Sequence, residues 1–309
     1  MPIGAATFPL APRRRLSGLA FGAMRSARRG RGFDVIGSRP YRPGDDVRAI
    51  DWGASARLSA ARGTDEFVVR ERFTEEAPRV VVVCDRRPSM ALFPAGLPWL
   101  SKPEAMRVAG SLIADSTLRA RGLVGYLDEA SANVDGPFWR APNAQHEHWR
   151  LKESHLTYQA FQAPADTVAR MLAFLGELRW TLPTGSFVFV LSDFLEPPTL
   201  AEWAQALELP WDLVPVVIQD PVWEQSFPPV GGLGVPIADP ARGVVGLVRL
   251  LAREVDARRR AHEERFAGLL ADFERLDLQP VVLSSAEPDE VLGAFLGWAA
   301  VREQMPVLA

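Results

Sequence analysis

Two regimes of hydrophobic patterning divide the chain near Arg79. Beyond that point, short continuous apolar runs alternate with longer stretches whose apolar residues recur at helical spacing. Val80 to Cys84 is continuous and rich in β-branched residues, which predicts a strand buried on both faces. Met106, Ala109, Ile113 and Ala120 predict a helix opening at Pro103, and Leu123 to Leu127 a second strand. Val168, Met171, Leu175 and Leu178 predict a helix with Asp166 as its N-cap. Phe187 to Leu191 reads as another buried strand, Leu200 to Leu207 as a helix, and Leu213 to Ile218 as a strand closed by Asp220 and Pro221. The Pro- and Gly-rich stretch from Pro221 to Arg242 predicts a loop with a short hairpin, ending in the apolar run Val244 to Val248. The longest helix follows, with Leu251, Val255, His262, Phe266, Leu269 and Phe273 on one face and the arginines at 258 to 260 mostly on the other. A strand over Pro280 to Ser284 and a helix over Asp289 to Glu303 complete a pattern that predicts a parallel α/β sheet.

The first part of the chain reads differently. From Phe33 to Phe73 there is no helical period, turn signals fall at Pro40, Pro43 to Asp46 and Gly63, and alternation appears from Phe67 to Phe73, so a small β-rich unit with a polar loop is expected. Residues 1–32 carry seven arginines from Arg13 to Arg31 and no acid. Leu16, Leu19, Ala20 and Ala23 or Met24 predict a short amphipathic helix ended by Gly30 and Gly32. The expected organisation is a basic lead-in over 1–32, a β-rich extension over 33–78 and an α/β domain over 79–309.

Composition narrows the function classes. The 309 residues are 48% hydrophobic and 24% charged, near the globular average. The longest apolar runs are far short of the roughly 18 residues needed to cross a bilayer. The arginines at 13 to 15 follow the first apolar stretch rather than precede it, unlike a secretory signal, so the expectation is a cytoplasmic protein. A net charge of −3 does not suit a nucleic-acid coat. The single cysteine, Cys84, sits in a Val-rich run and reads as a buried hydrophobe. Arginine supplies 33 of the 35 basic residues, leaving lysine only at Lys102 and Lys152.

Open α/β sheets bind ligands beyond the carboxyl ends of their strands. Asp85, Asp193 and Asp220 are the carboxylates at such ends. The segment from Arg39 to Arg57 mixes Asp45, Asp46 and Asp51 with Arg39, Arg42, Arg48 and Arg57. It reads either as a self-satisfied, salt-bridged loop with Trp52 as its apolar anchor or as a docking surface for a partner's charged segment. His146, His148 and His155 lie in a polar stretch without cysteine partners and read as solvated loop residues. Gly231-Gly232-Leu233-Gly234 lacks the Lys-Ser/Thr of a phosphate loop and reads as a turn.

Two stretches carry a family resemblance. Gly37-Ser-Arg-Pro-Tyr41-Arg-Pro-Gly44-Asp-Asp46-Val-Arg48-Ala-Ile-Asp51-Trp52, followed by Ser55-Ala-Arg57, resembles the signature of the bacterial "domain of unknown function 58" family. Asp85 to Met90 and Leu191-Ser-Asp193-Phe add to it. The resemblance implies a von Willebrand A-like, doubly wound and mainly parallel sheet with helices on both faces. It also implies a MoxR-type AAA+ ATPase as partner, since such an ATPase is often encoded beside these proteins. In von Willebrand A domains the first strand ends in D-x-S-x-S, which helps hold a divalent ion completed by a threonine and a second aspartate. Carried over, the metal set is Asp85, Ser89, Asp193 and Thr167, with Thr184 a poorer choice, and Mg²⁺ is the ion that oxygen donors suit. Arg87 departs from the pattern, because it replaces the middle serine and a guanidinium cannot be a ligand. Pointing inward, it takes the place of the cation and pairs with Asp85 or Asp193; pointing outward, it leaves a weak site.

The expected function is a non-enzymatic interaction module, an adaptor or substrate-presenting partner of the ATPase, with no cofactor or at most Mg²⁺. Its partner-binding residues are Arg39, Tyr41, Asp45, Asp46, Arg48, Asp51, Trp52 and Arg57. The alternatives are a metal-dependent hydrolase using Asp85, Asp193 and Asp220, and a membrane-surface scaffold held peripherally by Arg13 to Arg31.

Overall fold

A computed structural model describes residues 6–12, 20–21, 29–41, 50–63, 67–73, 75–92, 99–129, 136–144, 161–178, 181–239 and 244–304. The chain forms two compact units, residues 14–78 with 307–309, and residues 1–13 with 79–306.

In the smaller unit, β1 (Ala20–Phe21) pairs in parallel with β4 (Glu75–Glu76), and β2 (Arg29–Pro40) pairs antiparallel with β3 (Val68–Phe73). Gly30 and Gly32 therefore lie inside a strand rather than ending a helix; most of the stretch expected to be helical lies outside the described residues. The expectation of an extended, helix-free segment from Phe33 to Phe73 is corrected by α1 (Trp52–Arg62). Its ends explain why it forms without an apolar stripe. The Asp51 carboxylate accepts the Ala54 N–H at 3.0 Å as N-cap, and Gly63 closes the helix in the left-handed region at φ 67°. Ser55 ties α1 to β3, donating its hydroxyl to the Asp51 carbonyl at 2.7 Å and accepting the Val68 N–H at 2.9 Å.

The larger unit contains β5 (Arg79–Cys84), α2 (Lys102–Arg119), β6 (Leu123–Asp128), β7 (Phe138–Asn143) and α3 (Thr167–Glu177). These are followed by β8 (Phe187–Ser192), α4 (Leu200–Leu207), β9 (Asp212–Ile218), the hairpin β10 (Gly234–Asp239) and β11 (Val244–Arg249), α5 (Ala252–Arg275), β12 (Val281–Leu283) and α6 (Pro288–Gln304). The sheet order is β12-β9-β8-β5-β6-β7, parallel throughout except for the edge strand β7. Counted along the chain, its six strands run 3-2-1-4-5-6, the doubly wound order. The mainly parallel sheet with helices on both faces is thus the fold of this protein.

Both faces of the sheet are covered, which is why its central strands read as unbroken apolar runs. Val81, Val83, Val188 and Val190 pack on one side under α3, α4 and α5 with Met171, Trp203 and Phe273. On the other side Phe189 meets Phe295 and Trp298 of α6, and Phe8 stacks on Phe295 at 4.6 Å. Phe8, Leu10 and Ala11 are buried there, so this stretch ahead of Arg13 is part of the core. Arg302 locks that strap, donating to the Asp212 carboxylate at 2.8 Å and to the Ala11 carbonyl at 3.2 Å. Asp166 occupies the N-cap position of α3 as expected, but its side chain makes no capping bond.

Candidate functional site: a buried ionic rim

The doubly wound order reverses between β5 and β8, and the chain leaves these adjacent strands at Asp85 and Asp193, both fully buried. Local sequence sets what happens next. Pro88 opens a 3₁₀ turn (Pro88–Ala91) and, as the following residue, holds Arg87 in an extended conformation. The Arg87 N–H donates to Asp85 Oδ1 at 2.9 Å, and this tight turn brings the guanidinium back onto the same carboxylate. Arg87 Nε lies 2.9 Å from Asp85 Oδ2, and Nη2 lies 2.6 Å from it. Nη2 also donates to Ser192 Oγ at 3.1 Å and stands 3.6 Å from Asp193 Oδ1. Nη1 donates to the carbonyls of Glu196 at 2.7 Å and Ala165 at 3.3 Å. All five N–H groups of the guanidinium therefore have acceptors.

Asp193 faces a second cation. Lys102 Nζ, 1% exposed as a residue, donates to Asp193 Oδ2 at 3.0 Å and to Glu224 Oε1 at 2.5 Å. Lys102 begins α2, where the helix dipole disfavours positive charge, so these carboxylates must hold it there. Glu224 is presented by a turn that Asp220 organises, accepting the N–H groups of Val222 at 2.8 Å, Trp223 at 2.9 Å and Leu100 at 2.6 Å. Phe194, in the left-handed region at φ 47°, turns the chain after β8; its ring packs against Trp203 and Phe273, and that burial offsets the backbone strain.

These contacts shape the titration of the rim. Burial works against ionising Asp193, but Lys102 and Arg87 together outweigh it and hold this carboxyl below the usual aspartate range. The Ser89 side chain and the Leu195 N–H add hydrogen bonds in the same sense. Glu224 goes the other way, since burial pushes it above the usual range despite Lys102. Burial disfavours both cations, yet Asp193 and Glu224 raise Lys102, and Asp85 and Asp193 raise Arg87.

A second pair adjoins the first. Arg86, fully buried, donates through Nε to Asp128 at 3.0 Å, which also accepts the Tyr126 hydroxyl at 2.6 Å, and its guanidinium lies 5.1 Å from the Phe161 ring centroid. Glu129 accepts the Thr167 hydroxyl at 3.1 Å and pairs with Arg170 at 2.6 Å. Cys84 is buried beneath the rim, and burial pushes its thiol far above the usual range.

The structure thus brings Asp85, Ser89 and Asp193 together around Arg87, which points inward. Thr167 is directed to Glu129, and Asp220 to backbone N–H groups. This donor set does not fit a resident divalent ion: every oxygen of Asp85, Asp193 and Glu224 already accepts from a basic side chain, a hydroxyl or a backbone N–H. Among the described residues, no group of three or more His, Cys, Asp or Glu side chains is placed to hold a metal. Lys102 and Glu224 were missed from the sequence. The available signal was a lysine kept at a helix start in a chain whose other bases are nearly all arginine. A groove of about 720 Å³ between α3 and α4 is lined by Arg170, Glu177 and Glu202, but by none of Asp85, Arg87, Lys102, Asp193 and Glu224.

In the smaller unit, Asp45, Asp46 and Arg48 lie outside the described residues, as do His146, His148 and His155 in the larger one. Arg39 sits in β2 opposite Val69. Asp51 caps α1, and Arg57 is exposed on it. Trp52 is not the apolar anchor of a salt-bridged loop, because it is 61% exposed. Its ring meets that of Phe67, 45% exposed, edge-on at 6.0 Å, and Tyr41 meets the same Phe67 ring at 6.5 Å. Phe67 completes a surface aromatic cluster that spacing along the sequence does not reveal. No helix among the described residues is long and apolar enough to cross a membrane.

A family model described as "Protein of unknown function DUF58" matches residues 37–267, a span that contains both the aromatic cluster and the ionic rim. No curated protein matches the sequence. Among solved structures, the chain is similar to the conserved hypothetical protein BatB from Bacteroides thetaiotaomicron (14% identity, 74% of this chain and 100% of that one, TM-score 0.44). It is also similar to the pilus adhesin SpaC from Lactobacillus rhamnosus GG (12% identity, 74% and 31% of the two chains, TM-score 0.45). A third is an aerotolerance-related membrane protein from Bacteroides fragilis (11% identity, 74% and 100%, TM-score 0.41). Likenesses this distant assign neither activity nor partner.

Proposed function

We propose, from the premise that this chain belongs to the DUF58 family, that it is a non-enzymatic protein-interaction module that docks a MoxR-type AAA+ ATPase as an adaptor or substrate-presenting partner. The supporting observation is the surface pair of exposed Trp52 and Phe67, joined by half-buried Tyr41, on and beside the segment that carries the family signature. Large aromatic rings left in water cost free energy, and on protein surfaces tryptophan and tyrosine are the side chains that most often anchor an interface. Asp45, Asp46, Arg48 and Arg57 give the same stretch of sequence charges of both signs, as the polar part of an interface requires.

The ionic rim supports the non-enzymatic part of the reading. Asp85 and Asp193 are engaged by fixed cations and Asp193 is held low, which disfavours either carboxylate as a general acid or base. The decisive experiment titrates a MoxR-type ATPase against the wild-type chain and its Trp52→Ala and Phe67→Ala variants. Trp52 is exposed, so its truncation leaves stability within about 0.5 kcal/mol. Loss of an anchor weakens binding about tenfold or more. Folded variants that bind as tightly as wild type refute this surface.

A further inference from the structure

The side chains at the reversal point of the sheet set oxygen atoms around two buried basic groups. Arg87 Nη2 stands between Asp85 at 2.6 Å and Asp193 at 3.6 Å, and Lys102 Nζ stands between Asp193 at 3.0 Å and Glu224 at 2.5 Å. Asp193 is the carboxylate that both cations share. Ser192 closes the shell from the other strand, donating to Asp85 at 2.6 Å while accepting from Arg87 and from the Phe194 N–H.

We infer that Arg87 and Lys102 are built-in stand-ins for a divalent cation, so that the wild-type rim takes up neither Mg²⁺ nor Mn²⁺ and becomes a metal site only when both side chains lose their charge. The two bases together carry the charge of one divalent ion. Against three carboxylates they leave a net charge of −1, as a bound Mg²⁺ would. A metal entering the wild-type rim would have to expel two cations from positions 1–4% exposed, or sit beside them in a low-dielectric site. With both charges removed, the carboxylates of Asp85 and Asp193 and the hydroxyls of Ser192 and Ser89 remain as oxygen donors around the place of Arg87, with water to complete the shell, the chemistry that Mg²⁺ and Mn²⁺ require. Arg87 also has no N–H left for a partner's carboxylate. This inference stands independently of the aromatic docking surface.

The test follows thermal unfolding and metal-binding heat of the full chain with and without MgCl₂ or MnCl₂, for wild type, Arg87→Ser/Lys102→Met, and that double variant with Asp85→Asn added. Methionine keeps the apolar stem of Lys102 in place. Wild type is expected to show no saturable heat and no change in Tm. The double variant is expected to bind saturably, with Tm rising by roughly 5–10 °C at metal 100-fold above Kd, or with folding recovered on adding metal if it is unfolded without it. Asp85→Asn should abolish the gain. Saturable binding by wild type overturns the inference, and so does a double variant whose unfolding, or failure to fold, is the same with and without metal.

Discussion

Lys102→Met tests how much of the stability of the α/β unit depends on the ionic rim. The substitution preserves the buried stem but removes the ammonium that reaches Asp193 at 3.0 Å and Glu224 at 2.5 Å. Breaking a buried pair by removing one partner costs about 3–5 kcal/mol. The low end applies here for two reasons. Asp193 keeps the Leu195 N–H at 3.1 Å and Arg87 at 3.6 Å, and Glu224, already pushed upward by burial, can take a proton. A loss of about 3 kcal/mol in a unit of this size lowers Tm by roughly 6–12 °C. The pH dependence supplies a second readout. In wild type the depressed Asp193 contributes stability above its unfolded pKa, and that stability is lost as pH falls through its folded value. Without Lys102 the folded values of both carboxyls rise, so their protonation relieves the variant at a pH where wild type gains nothing. The deficit measured by circular-dichroism melts should therefore be larger at pH 7.5 than at pH 5. A Tm loss under about 2 °C, or a deficit that grows on acidification, would refute the reasoning.

Three further outcomes follow from local geometry. Asp51→Ala removes the N-cap of α1 at a cost of about 1 kcal/mol, and hydrogen exchange should show faster exchange at Ala54 and its neighbours while the melt of the larger unit is unchanged. A Cβ at Gly125 would meet the Arg140 carbonyl and the Pro142 ring at 3.0 Å, so Gly125→Ala should cost about 1–3 kcal/mol by overpacking β6 against β7; an unchanged Tm would show that the edge strand yields freely. Burial depresses the His262 imidazole, with Arg265 and Arg258 acting in the same sense, although its Nδ1–H donates to the Trp223 and Ser226 carbonyls. A depressed folded value means stability that is present above the unfolded pKa and lost as pH falls through the folded one. Wild type should accordingly lose more stability than His262→Gln between pH 7.5 and pH 5, and parallel pH profiles would count against this assignment.

Much of the α/β unit was legible along the chain, because its dominant forces are local in sequence or periodic. β5, β8 and β9 are buried on both faces and so appear as unbroken apolar runs, while α4 starts at the Thr199 and Glu202 capping box and ends where its apolar period stops. What escaped lacks those signals. β7 is an edge strand interrupted by Pro142, and α1 is a polar helix fixed by its caps. Phe8 to Ala11 form no regular element and are held only by side chains that fold against them. The family signature directed attention to the segment around Trp52, but Phe67 joins the aromatic cluster only because β3 lies beside α1.

The rim shows the same division in its chemistry. The turn Asp85-Arg86-Arg87-Pro88 is local, so the sequence already limited Arg87 to an inward or an outward orientation. Which of the two occurs depends on acceptors from Ala165, Ser192 and Glu196, 78 to 109 residues away. Lys102 meets partners 91 and 122 residues away. Sequence alone determined the elements and the ends of the strands. Only the 3-2-1-4-5-6 strand order, which sets β5 beside β8 and brings the start of α2 to the turn after β9, decided that two bases would occupy the centre of three carboxylates.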